Sequence, residues 1–243
     1  MELLTYLLFG LVIVTTHFFE GVTGFGCTVL AMPFCIMLMG IENAKPVLTM
    51  YALLLCLIFA VKSFGQIRWK DYLKMLGMLL LGLPVGIMIY QWMPRELLLI
   101  VLACFMTIVS IRGLLISFRL IKAKGEVKDV PALISVFLGG IIHGAFSTGG
   151  PLVIIYATEK IKDKSQFRAT LCLIWVTLNT ILILQMILAG NFPAEAARTA
   201  VYGLPFLILG AVLGNWAHDR MNQATFTKLT YILLLVTGIF MLF

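Results

Sequence analysis

Ten apolar runs, at 3–19, 25–41, 46–65, 73–93, 97–118, 132–146, 150–158, 169–189, 199–217 and 226–243, take up most of this chain of 243 residues. Nearly all are of a length that crosses about 30 Å of hydrocarbon as a helix. No soluble core of a chain this size buries so many. Composition agrees: 61% of residues are hydrophobic and 12% charged, against about 45–50% and about 25% in soluble domains. The expectation is an all-α, polytopic helical membrane protein, with the lipid bilayer as its first partner.

The formal net charge of +7 is placed as a topology signal and excludes a nucleic-acid reading. Fourteen Lys and Arg fall in the joints at 62–74, 119–128, 160–168 and 220–228, and only Lys45, Arg95 and Arg198 on the other side. The rich side is cytoplasmic, so both termini are expected outside. The chain opens on Met1 and Glu2, with no positive n-region and no small-residue cleavage site before His17; the first segment is not read as a signal peptide. Cys27, Cys35, Cys56, Cys104 and Cys172 show no CxxC spacing. They read as small buried hydrophobes, and no resident metal or cofactor is expected.

One segment is too short to span. As a helix, 150–158 reaches about 14 Å, so the turn at Ser147–Gly150 is expected near mid-membrane; the charge parity fits a hairpin that dips and returns or two full spans, and helix length favours the dip. The same pattern occurs earlier: EGVTGFGCTVLAM from Glu20 aligns with HGAFSTGGPLVII from His143, 123 residues on, over a G-[VA]-x-[GS]-x-G core. Lys45 meets Arg168 at the same offset, and GLP recurs at Gly82 and Gly203. Five segments in each half give the halves opposite orientation. The expected organisation is therefore two inverted repeats, 1–118 and 132–243, joined by a polar cytoplasmic linker at 119–131. Paired broken or re-entrant glycine-rich elements at matching places are the best sequence pointer to a transport site.

Each broken element has the parts of an anion site. Ser147 or Thr148 suits an N-cap and Pro151 the first helical turn, which leaves free N–H groups around Gly149 and Gly150. In the first half, Thr23 suits a cap for a helix starting near Gly24, with N–H groups at Phe25, Gly26 and Cys27. Helix N-termini carry partial positive charge and unpaired donors. The plainer reading is that these glycines only let helices pack closely. Glu20 suits proton coupling, pairing with His17 or Arg112, or a wet loop edge. His17, Glu20 and His143 also form a metal-like set. Asn179, with Thr177 and Thr180, is either interhelical glue or cavity lining. Arg168 suits an anion attractor or gate at the cytoplasmic mouth, or an ordinary surface anchor. Trp69, Trp92, Trp175 and Trp216 read as interface residues.

Over both repeats, these paired hairpins resemble the sulfite exporter TauE/SafE family. The first reads GFGC from Gly24 with Pro33 following; the second reads STGG with Pro151 directly after it. The resemblance implies a membrane transporter of sulfur-containing anions in a prokaryotic inner membrane, with a small anionic substrate and room for a homodimer. No P-loop appears, so coupling to an ion or substrate gradient is expected. No HExxH, GxSxG or comparable catalytic pairing appears either, so an enzyme is not expected. A divalent-metal transporter using His17, Glu20 and His143 and a non-transporting membrane subunit stay open.

Overall fold

The computed structural model describes residues 3–121, 129–218, 220 and 222–240. Most of the expected linker (122–128) and both chain ends (1–2 and 241–243) lie outside the described residues. Within them the chain is all-α, in the order α1 (Leu3–Thr23), α2 (Cys27–Lys62), α3 (Trp69–Trp92), α4 (Arg95–Ser117), α5 (Asp129–Phe146), α6 (Gly150–Lys160), α7 (Lys164–Leu188), α8 (Ala194–His218) and α9 (Gln223–Phe240).

The second and third apolar segments run on in α2, but Gly40, at φ 73° and ψ 158°, divides it into 27–39 and 41–62. That conformation is open essentially to glycine alone. With α2 counted as two, the helical stretches match the ten apolar segments one to one. The 27–39 stretch is about 20 Å long and α6 about 16 Å, each well short of a bilayer core.

Helices α1, α2, α3, α7 and α8 are long and apolar enough to cross a membrane. Their outward faces stay greasy, with Leu3, Leu11, Leu73, Leu81, Val201 and Ile208 exposed. Such a surface suits lipid. The protein is a polytopic helical membrane protein.

Helix α1 lies against α8, α3 against α5, α2 against α7 and α4 against α9. Exchanging the segments of the first half for those of the second, in order, leaves this set of pairs unchanged. The correspondence reaches single atoms. A Cβ at Gly82 or Gly86 would collide with the carbonyl oxygen of Phe137 or Ile141, and one at Gly210 or Gly214 with that of Val14 or Phe18. Val14 and Phe18 precede Phe137 and Ile141 by 123 residues, and Gly82 and Gly86 precede Gly210 and Gly214 by 128. These glycines bring helix backbones into direct contact, which is how helices gain packing energy in lipid.

Gly86→Ala and Gly214→Ala should each lower the thermal unfolding midpoint in detergent, at a cost of about 1–3 kcal/mol. Gly77 in α3 has open space at its Cβ position, so Gly77→Ala should leave the midpoint unchanged or raise it slightly.

Candidate functional site

Two helix breaks build the site. Helices α1 and α5 each end in a left-handed residue, Gly24 (φ 80°) and Ser147 (φ 56°), 123 positions apart. The Gly24 N–H donates to Glu20 O at 2.6 Å and the Ser147 N–H to His143 O at 2.7 Å, the αL termination of a helix. Ser147 adopts this conformation against its Cβ, and its Oγ accepts a hydrogen bond from Thr49 Oγ1 at 2.9 Å.

Beyond each turn, α2 and α6 begin at Gly26 and Gly149, and no side chain caps either N-terminus. This corrects the expected hydroxyl caps. Thr23 stands three residues before the Gly26 N-cap, so its Oγ1, which donates to Phe19 O at 2.8 Å and accepts from the Phe25 N–H at 3.4 Å, serves the turn and not the first turn of α2. Thr148 Oγ1 is buried with no partner.

The opposite helix ends are satisfied by cations. Lys45 Nζ donates to Gly144 O (3.0 Å) and Ala145 O (2.9 Å). Arg168 Nη1 donates to Gly21 O at 3.0 Å. Lys45 and Arg168, like Gly21 and Gly144, are 123 residues apart. A cation on a helix C-terminus offsets the partial negative charge of its free carbonyls. Arg168 is thus engaged with the end of α1 and does not line the central cavity. Lys45, read from sequence only as a topology charge, holds the end of α5 and lies 3.6 Å from the Tyr90 ring centroid.

Between the breaks lies one buried cavity. The first half lines it with Glu20, Gly26, Thr28, Val29 and Ala52, and the second with His143, Ser147, Thr148, Gly150, Trp175 and Asn179. Its volume of about 20 Å³ is room for one or two waters. The walls carry related bonds of different chemistry. His143 Nε2 lies 3.1 Å from Asn179 Oδ1 and, facing that acceptor, donates to it. Cys56 Sγ donates to Glu20 Oε1 at 3.2 Å, and Glu20 and Cys56 precede His143 and Asn179 by 123 residues. Glu20 Oε2, His143 Nδ1 and Thr148 Oγ1 are buried without a partner, so three polar atoms belonging to cavity residues are unsatisfied by the protein.

Of the expected substrate residues, Gly26, Ser147, Thr148, Gly150 and Asn179 reach this cavity, as do Glu20 and His143 from the coupling set. Thr23, Gly24, Phe25, Cys27 and Gly149 stand behind it. Phe25 packs edge-on to Phe167 at 6.4 Å, and a Cβ at Gly149 would meet the Gly139 carbonyl and lie 2.8 Å from His143 Cβ. His17 lies off the cavity, its Nδ1 donating to Ile13 O at 2.9 Å. His17, Glu20 and His143 do not gather into one ligand set; Cys27 takes the third place beside His17 and Glu20.

Trp175 was the main omission. Trp69, Trp92 and Trp216 are exposed, but Trp175 is buried. Its Nε1–H donates to Gly24 O at 3.0 Å while its ring stacks on His143 at 5.4 Å, so one side chain joins the two breaks. The repeat held the signal: Ala52 lies 123 residues before Trp175, and both line the cavity.

Two further cavities flank the centre. One of about 580 Å³ is lined by Glu42, Lys45, Tyr90, Gln91, Gln185 and Asn191 among others. The other, of about 190 Å³, is lined by Val22, Thr23, Ile161, Lys162, Lys164, Phe167 and His218. One helical turn, Lys45 to Thr49, separates the larger from Ser147 at the centre.

A family model described as Sulfite exporter TauE/SafE matches residues 8–241. The chain belongs to the TauE/SafE family. Membership makes it a membrane transporter. This TauE/SafE protein is 26% identical over 183 residues, covering 73% of each chain, to the "Probable inner membrane transporter protein TsaS" of Comamonas testosteroni. It is 20% identical over 224 residues to the "Probable sulfite/organosulfonate exporter TauE" of Cupriavidus necator, covering 91% of this chain and 87% of that one. No solved structure matches it.

Trp175→Phe keeps the aromatic ring but removes the N–H on Gly24 O. It should cost about 1 kcal/mol, read as a lower unfolding midpoint than the wild type.

Proposed function

We propose that this protein is a secondary transporter of a small sulfur oxyanion or organosulfonate, held between the N-termini of α2 and α6. The observation that carries this reading is the pair of uncapped helix N-termini opening on one buried cavity, with Thr148 Oγ1 unpartnered beside them. Free N–H groups and aligned peptide dipoles attract an anion without a buried lysine. The sulfur chemistry is supported by the family and by the printed description of the Cupriavidus relative.

The halves 1–118 and 132–243 act as inverted repeats. Alternating access follows if the two exchange conformations around a fixed site. The larger flanking cavity ends at Lys45 and the smaller lies beside Lys162 and Lys164, so this conformation is more open on the side that the charge count assigns to the exterior. With no ATP-binding signature, the driving force is an ion or substrate gradient. The setting is a prokaryotic inner membrane with both chain ends outside.

Thermal unfolding in detergent against sulfite, thiosulfate, sulfoacetate, sulfate and chloride, at matched ionic strength, tests the reading. A ligand that prefers the folded state raises the midpoint with concentration. The expected result is a selective rise with one sulfur anion, matched by flux of that anion in proteoliposomes. Gly150→Ala is the diagnostic variant. Its added Cβ meets only ordinary through-space contacts, 3.8 Å from Phe25 Cδ2 and 3.9 Å from Trp175 Cζ2, and the ring of the following Pro151 alone opposes it, so the midpoint without ligand should fall only slightly while the ligand response and flux fall. A response to every anion alike, or one untouched by Gly150→Ala, would reject the cradle.

A further inference from the structure

The wall of the cavity belonging to the first half carries a second set of chemistry. One donor atom each from His17, Glu20 and Cys27 lie within 4.8 Å of one another, and all three residues are buried. Cys56 Sγ adjoins the group through its 3.2 Å bond to Glu20 Oε1.

The hydrogen bonding determines what these atoms offer. A carbonyl oxygen only accepts, so the contact of His17 Nδ1 with Ile13 O places the ring proton on Nδ1 and leaves Nε2 as a bare lone pair. That is the state in which a histidine binds a metal, with its other nitrogen held by the backbone. His17 Nε2 has no partner, and neither has Glu20 Oε2. Two buried acceptors therefore stand beside the Cys27 thiol, whose Sγ also lies 3.5 Å from Thr28 Oγ1. Among the described residues no lysine or arginine pairs with Glu20.

We propose that His17, Glu20 and Cys27, with Cys56 as fourth donor, bind a soft divalent cation of the zinc class. One imidazole, one carboxylate and two sulfurs make a tetrahedral N/O/S set of the kind zinc and cobalt take. Ligand atoms around such an ion stand roughly 3.3–3.7 Å apart, from metal–ligand bonds of about 2.0–2.3 Å, so a small closure brings His17, Glu20 and Cys27 onto one ion, and Cys56 joins by turning from Glu20 Oε1 toward it. The repeat shows that the fold does not impose this chemistry. The matching positions in the second half, 123 residues on, are Gly140, His143, Gly150 and Asn179, which cannot furnish the same ligands. The cation sits beside the anion cavity because Glu20 belongs to both, and it neutralises a carboxylate that would otherwise repel an anion there. This site stands on the described side chains alone and does not depend on the identity of the transported anion.

The test is Co²⁺ titration of the chelator-stripped, full-length protein in detergent, with no sulfur anion present. The expected result is one equivalent of Co²⁺ giving intense visible d–d bands and a near-ultraviolet thiolate-to-cobalt band, both displaced by Zn²⁺. Cys27→Ser should remove part of the thiolate band, and His17→Gln should weaken Co²⁺ binding roughly tenfold or more. Cys35→Ser, at a buried thiol outside the cluster, should change neither and controls for folding. Absence of the bands at saturating Co²⁺, or bands insensitive to both Cys27→Ser and His17→Gln, would overturn the site. The anion panel, run separately, reports on the transport reading whichever way this titration falls.

Discussion

A helix that stops inside a bilayer has nowhere to put its last hydrogen bonds. Water is absent, and each unsatisfied carbonyl or N–H costs several kcal/mol. This protein stops helices α1 and α5 away from bulk solvent and begins α2 and α6 beside them, and the rest of the site follows from how those ends are treated. The C-terminal ends are closed by αL turns at Gly24 and Ser147 and by Arg168 and Lys45 on the carbonyls behind. The N-terminal ends have no side-chain cap. The asymmetry is chemically sensible. Negative ends carry built-in basic partners, while the positive ends of α2 and α6 carry no side-chain partner.

Close packing makes this geometry rigid. The crossings of α1 with α8 and of α3 with α5 bring backbone against backbone at Gly214 and Gly86, which leaves little slack for either helix to shift. Trp175 then ties the two breaks together across the cavity.

The frame is nearly two-fold, but its chemistry is not. Glu20 with Cys56 occupies the place that His143 with Asn179 occupies in the other half, and Ala52 faces the bulk of Trp175. One wall is acceptor- and sulfur-rich; the other is aromatic and amide-rich. Two matching walls thus carry unlike chemistry, and both line the one cavity.

Much of this was legible in the order of residues. Runs of apolar side chains fix the solvent, and clustered glycines between such runs mark where a helix must break, so the all-α membrane class and both breaks could be read directly. The offset of 123 also related Lys45 to Arg168. Which group each cation serves could not be read, since a carbonyl acceptor belongs to the backbone and leaves no trace in side-chain identity. The hydroxyl caps differ for a local reason: the turn through Gly24 carries the start of α2 to Gly26, so Thr23 accepts from the Phe25 N–H inside the turn. Trp175 looked like an interface residue because burial depends on which helix packs beside it. The replacement of His143 by Cys27 next to Glu20 has the same origin. Hydropathy and backbone conformation act along the chain, and the sequence by itself determined the solvent, the segments and the breaks. The cavity, its cation braces and its ligand atoms join residues about a hundred positions apart, and only the packing of helices in three dimensions decided which of them meet.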